Sequence, residues 1–211
     1  MTKRIQLSQV TERLLHQLSH SLDQPVTKAR LASLRHSIGR DMSQSIEIWP
    51  FIFENIPEDY LGQSSILTDQ EEAILLTLQL YAVYQQGKDQ AVWTDEVDRR
   101  KNFGHSLAYL RRNEENKVAT DRRFNAMITA TTYEEFKYHL RQMLQLLKSK
   151  TKAEVPINFG GLSRDIYKVK GDRYDFKHDR PYVESLRLSW AKAYYSYQSN
   201  ETDKEKETDN D

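Results

Sequence analysis

Apolar residues return at every fourth position near the start of the chain, at Val10, Leu14, Leu18 and Leu22. The same helical spacing recurs almost to its end. A half-buried strand needs alternation, so this period constrains the chain to one class, all-α. Leu31, Leu34 and Ile38 mark a second helix, stopped by Gly39. SIEIWPFIFENIP is cut by Pro50 and reads as a broken helix in the core. Thr68 and Glu71 stand in capping-box register before AILLTLQLYAVY, an apolar helix that closes near Gly87. Leu107 and Leu110 give a short helix after Gly104, and Phe124, Met127 and Ile128 give the next. Thr132 and Glu135 form a second capping box for the helix of Phe136, Leu140, Met143, Leu144 and Leu147. A short helix around Leu162 and Ile166 follows. The last helix lies beyond Asp179 and Pro181, with Val183, Leu186, Trp190, Tyr194 and Tyr197 on one face. The expectation is a compact bundle, or pair of bundles, of about eight to nine helices.

Residues 87–103, GKDQAVWTDEVDRRKNF, show no period and read as a long loop with a basic end. The chain is then a single all-helical domain over 1–198, with a division into lobes 1–90 and 104–198 about that loop as the second option. Residues 199–211 are acidic, almost without apolar side chains, and expected to be disordered.

Several chemistries are excluded or unsupported. There is no cysteine, which removes disulfides, thiolate catalysis and cysteine-ligated zinc. Nucleotide-binding glycine motifs are lacking, and Gly160-Gly161 alone reads as a turn. His16 and His20 have the i, i+4 spacing of a shared metal, but no Glu of an HExxH motif lies between them and no third ligand is identifiable. No metal, cofactor or catalytic residue is assigned. Glu71-Glu72 and Glu134-Glu135 fall in first helical turns, where carboxylates complement the dipole. No segment approaches the roughly 20 apolar residues of a membrane span, and MTKRIQLSQVTERL lacks the apolar run of a signal peptide. A cytoplasmic, non-enzymatic protein is expected.

Charge supplies the remaining signal. Formal neutrality, 31 bases against 31 acids, hides an uneven distribution. Lys28 to Arg40 holds four bases and no acid, and Arg99 to Lys148 holds eleven bases against five acids. Local basic surfaces of this kind attract polyanions whatever the global balance. The clustered residues are Lys28, Arg30, Arg35, Arg40, Arg99, Arg100, Lys101, Arg111, Arg112, Arg122 and Arg123. Arginine predominates among them, and its fixed fork of donors suits phosphate. A helical wheel sets Arg122 opposite Phe124, Met127 and Ile128, with Arg123 on the flank. The residues alone leave two readings open. One is a phosphate-binding face; the other is a solvated face of local ion pairs, Asp121 with Arg122 or Glu114 with Arg111. Aromatic interleaving is thin, which favours backbone contact over base readout.

Taken in order, ARLASLRHSIG, NFGHSLAYLRR, DRRFNAMITATTYEEFKYHLRQMLQLL, INFGGLSRDIY and YVESLRLSWAKAYY span roughly residues 28–195. This succession resembles the CasB family, the small subunit of the type I-E CRISPR Cascade complex. The resemblance implies an all-helical, non-enzymatic subunit present in two copies, partnered by guide RNA, target DNA and the other Cascade subunits. It also implies sequence-independent backbone contacts that stabilise the R-loop and its displaced strand. Carried over by matching segment, the nucleic-acid contacts are Arg35, Arg111, Arg112, Arg122, Arg123 and Arg141, with His36 where the family has a second arginine. Arg99, Arg100 and Lys101 are added on charge alone. The competing expectation is a helical adaptor whose basic face docks an acidic protein.

Overall fold

The computed structural model describes residues 6–40, 44–171, 174–175 and 180–196. Among them are nine α-helices, and the chain is all-α as expected. They are α1 (Leu7–Ser19), α2 (Pro25–His36), α3 (Trp49–Phe53), α4 (Asp69–Gln85), α5 (Phe103–Ala108), α6 (Lys117–Ile128), α7 (Tyr133–Thr151), α8 (Phe159–Lys170) and α9 (Tyr182–Tyr195). A two-residue antiparallel ladder, Tyr174–Asp175 with Arg180–Pro181, leads into α9. The proposed acidic tail and Tyr197 lie outside the described residues.

Helix α4 is the centre of the bundle. Its sequence is apolar all round, so both faces must be covered, and Ile74, Leu78, Tyr81, Ala82 and Tyr84 are fully enclosed. Each such leucine or isoleucine contributes about 1.5–3 kcal/mol on burial. Thr68 caps α4 reciprocally: its hydroxyl accepts from Glu71 N at 3.1 Å, and Glu71 Oε2 accepts from Thr68 N at 2.6 Å. Helix α8 packs against both α4 and α1, and α2 covers another side of α4. The Thr11 hydroxyl meets that of Ser163 at 3.0 Å, joining α1 to α8 across 152 positions of sequence. A second group of contacts pairs α5 with α9 and α6 with α7. One continuous buried cluster includes residues from both groups, among them Leu14, Tyr84, Phe103, Phe159 and Trp190.

Two local readings of the sequence need correction. Gly160 and Gly161 are not a turn; they open α8 and are buried. A β-carbon on Gly160 would lie 2.5 Å from Glu12 Oε1, and one on Gly161 2.6 Å from Asn158 Nδ2, so the pair permits close packing at the helix start. At α7 the box is only half formed. Thr132 accepts from Glu135 N at 3.2 Å, but the Glu135 carboxylate reaches Thr131 N at 2.9 Å rather than Thr132.

The stretch between α4 and α5 is a long loop, as its lack of period indicates, and it is firmly anchored. Trp93 is buried in the core. Gln85 accepts from Val92 N at 2.9 Å and donates to the carbonyls of Lys88 and Gln90. Asn158 Nδ2 holds the carbonyls of Arg99 and Lys101 at 3.1 and 3.0 Å.

Candidate nucleic-acid interface

Helix α6 presents the clearest free charge. Phe124 and Met127 point inward and are buried, which leaves Arg122 and Arg123 exposed. Among the described residues no hydrogen bond or ion pair engages either guanidinium. Their neighbour Asp121 is taken elsewhere. It accepts a bidentate pair from Arg111, Nε–Oδ1 2.9 Å and Nη2–Oδ2 3.3 Å, and a 2.8 Å bond from the Tyr194 hydroxyl. The pairing of Asp121 with Arg122 expected on a solvated face is therefore replaced by one with Arg111. The 3-10 turn Tyr109–Arg112 packs against α6 and brings Arg111 there; sequence spacing alone could not show that juxtaposition.

Arg111 is thus a structural cation. It is half-buried, ion-paired, and laid over the rings of Tyr194 and Tyr195 at 5.4 and 4.8 Å. Arg112, next to it, is exposed and lies over Tyr109 at 4.1 Å. A cleft of about 510 Å³ opens beside it, edged by Arg112, Asn113, Asn116 and Lys150.

Around the C-terminal end of α4 the charge has a different use. Arg35 donates to the Ala82 carbonyl at 3.4 Å, and Lys148 donates to Val83 O and Gln86 O, each at 2.7 Å. Cations here answer the negative end of the helix dipole. Burial lowers the pKa of Arg35, and burial together with the nearby Arg35 charge lowers that of Lys148. Lys28 is exposed at the rim of a 360 Å³ cleft that Arg35 also lines. Arg30 lies over the Phe51 ring at 4.8 Å, and Arg40 is exposed just beyond α2.

The loop cations are paired. Arg99 clamps Glu12 of α1 through Nε and Nη2 at 3.1–3.2 Å, a bond that raises its pKa. Arg100 pairs with Asp98 at 3.0 Å and, mainly through that hydrogen bond, holds the Asp98 carboxyl down to about 2. Lys101 is exposed. Arg141 is half-buried on α7, its Nε shielded and without a hydrogen-bond partner among the described residues.

The twelve candidates therefore do not form one patch. Arg112, Arg122 and Arg123 share the region of α6 and the turn packed on it, whereas Lys28 and Arg35 share the cleft at the end of α4. Sequence reasoning passed over Lys148 and Lys150 as sites. Both stand in the last turn of α7, a position that helix-dipole chemistry already accounts for.

The sequence profile of the CRISPR-associated protein Cse2 family matches residues 30–195. The chain belongs to the Cse2 family. That span nearly coincides with the 28–195 succession of segments read from the sequence. Solved structures agree on the fold. CasB from Thermobifida fusca is 21% identical, with a TM-score of 0.65 over 89% of this chain and 97% of that one. CasB from M. ruber, also 21% identical, gives 0.60 over 99% and 100%. A chain of a CRISPR RNA-guided surveillance complex gives 0.64 at 17% identity, covering 90% and 96%. No curated protein matches the chain. No helix among the described residues of this Cse2-family chain is long and apolar enough to cross a membrane.

Proposed function

We propose that this chain is the non-enzymatic small subunit of a type I-E RNA-guided surveillance complex, Cascade. In this reading two copies join each complex, contact the backbones of guide RNA and target DNA without reading sequence, and hold the displaced strand. The observation that carries it is the uncommitted pair Arg122 and Arg123, exposed on α6 of a Cse2-family fold. R-loop formation exchanges one duplex for another of similar stability, so modest contacts to phosphate tip the balance. Such contacts need charge on helix surfaces rather than a reaction pocket. Arg112 and Lys150, at the cleft beside α6, add to that surface, and Lys28 stands exposed at the rim of a second cleft. A monomer with a few contacts binds weakly alone and acts through multivalent assembly.

The test is reconstitution of the complex from guide RNA, the other subunits and either the parent chain or Arg122→Ala/Arg123→Ala. The parent should co-purify in two copies, and the double variant should assemble normally but shorten the R-loop lifetime. An unchanged lifetime would sink the assignment of the arginine pair. Failure of the variant to assemble, with nucleic-acid affinity intact, would favour an adaptor that docks an acidic protein.

A further inference from the structure

His16, on the exposed side of α1, and His20, its C-cap residue, lie one turn apart, and the fold supplies the third group that the sequence lacks. Asp95, from the loop between α4 and α5, comes to 3.6 Å from His16 Nε2. One donor atom from each of the three residues lies within 4.8 Å of the others, and all three side chains are exposed. The two imidazoles are stacked, centroids 3.7 Å apart and planes 19° from parallel.

The orientation of His20 adds an independent observation. Its Nδ1 lies 3.1 Å from the His16 carbonyl oxygen. The Ser19 hydroxyl lies 3.1 Å from the same nitrogen, so Nδ1 is engaged by the chain and Nε2 is the nitrogen left for a ligand. A backbone carbonyl on the non-ligating nitrogen is the arrangement that orients metal-bound histidines. One turn before His16, Glu12 is held by Arg99, so Asp95 is the carboxylate left to the site. The same loop is already pinned to α1 by that clamp, which limits how far Asp95 can stray.

We propose that His16, His20 and Asp95 form a surface site for a divalent transition cation of the zinc class. Two imidazoles and one carboxylate, with solvent completing the shell, are a donor set that zinc accepts. Donors around a tetrahedral ion stand about 3.3–3.6 Å apart, given bonds of about 2.0–2.2 Å, and the exposed His16 and Asp95 side chains close that gap by rotation. The bound ion ties the loop to α1 at a second point. The inference is independent of the nucleic-acid reading above.

The experiment is calorimetric titration of the tag-free full chain with zinc chloride, beside His16→Ala, His20→Ala and Asp95→Asn. One zinc per chain is expected, with affinity reduced about tenfold or more in either histidine variant and reduced in Asp95→Asn. Zinc should also raise the thermal midpoint of the parent and not of the histidine variants. All three positions are exposed, so the metal-free midpoints should coincide and report intact folds. The proposal is overturned by absence of zinc binding, by binding unchanged in both histidine variants, or by an Asp95→Asn chain that binds as tightly as the parent.

Discussion

Tyr194 lies flat on Phe124, with ring centroids 3.8 Å apart and planes within 10° of parallel. The stack joins α9 to α6 and fixes which face of α6 points outward. Because the Tyr194 hydroxyl also donates to Asp121, one residue sets the rotation of α6 from its apolar side and its polar side together. Arg122 and Arg123 inherit their exposure from that arrangement.

Truncation of Tyr194 separates these two contributions. Tyr194→Phe loses the bond to Asp121 and should cost about 0.5–1.5 kcal/mol. Tyr194→Ala also loses the stacked ring and should cost about 3–5 kcal/mol. Urea denaturation of the three chains measures both.

The arginines of α6 and its neighbouring turn should divide by role. Arg111→Ala leaves Asp121 without its ion-pair partner and should destabilise the fold by about 1–3 kcal/mol. Arg122→Ala/Arg123→Ala should change stability by no more than about 0.5 kcal/mol per site. Equal losses in denaturant midpoint for the two variants would contradict the division.

Salt provides a reading specific to phosphate contact. If both guanidiniums meet single-stranded phosphates, the assembled double variant should lose about 0.7 per arginine from the slope of log affinity against log salt. The parent slope, retained in full, would exclude direct contact by the pair.

Asp165 predicts an inverted pH effect. It is buried, accepts from Trp190 Nε1 at 3.0 Å, and has its pKa raised chiefly by burial. The native state therefore keeps this proton to higher pH than the unfolded chain, whose value is about 3.9. Stability from this group is full below that value and is lost as pH rises through the raised native pKa. Asp165→Asn cannot ionise, so its stability relative to the parent should increase across that window. Denaturation at a series of pH values from acid to neutral checks the sign.

Two glycines should respond unequally to alanine. At Gly104 a β-carbon would sit 2.3 Å from the Trp190 carbonyl oxygen, part of the backbone of α9. Gly104→Ala should cost at least about 1–3 kcal/mol. At Gly160 the obstacle is the Glu12 side chain rather than backbone, so the fold should lose less and the Glu12–Arg99 clamp more. Thermal midpoints, with protease cleavage of the loop as a second measure, distinguish the two.

The helices were legible because their apolar period is a property of neighbours in sequence. Val10, Leu14 and Leu18 turn inward as their spacing requires, and Thr68 with Glu71 close their box as their three-residue interval requires. The exposure of Arg122 and Arg123 follows equally from one wheel. What was not legible depends on tertiary approach. Nothing local shows that Arg111 pairs with Asp121, because that pairing is made by the approach of α6 and by the tyrosines of α9. Asp95 could not be joined to His16 and His20 for the same reason, since the loop had to be laid on α1 first. Gly160 was misread because what crowds it is a carboxylate on another helix, and Gly161 because the Asn158 amide folds over it at the cap.

The contact between Thr11 and Ser163 has a consequence for biosynthesis. α1 and α4 leave the ribosome long before α8, their common packing partner, has been made. The nascent N-terminal half must therefore carry uncovered leucines until about three-quarters of the chain has been translated. Closure of so long a loop is entropically slow, which makes the interval before α8 arrives a period of exposure to aggregation.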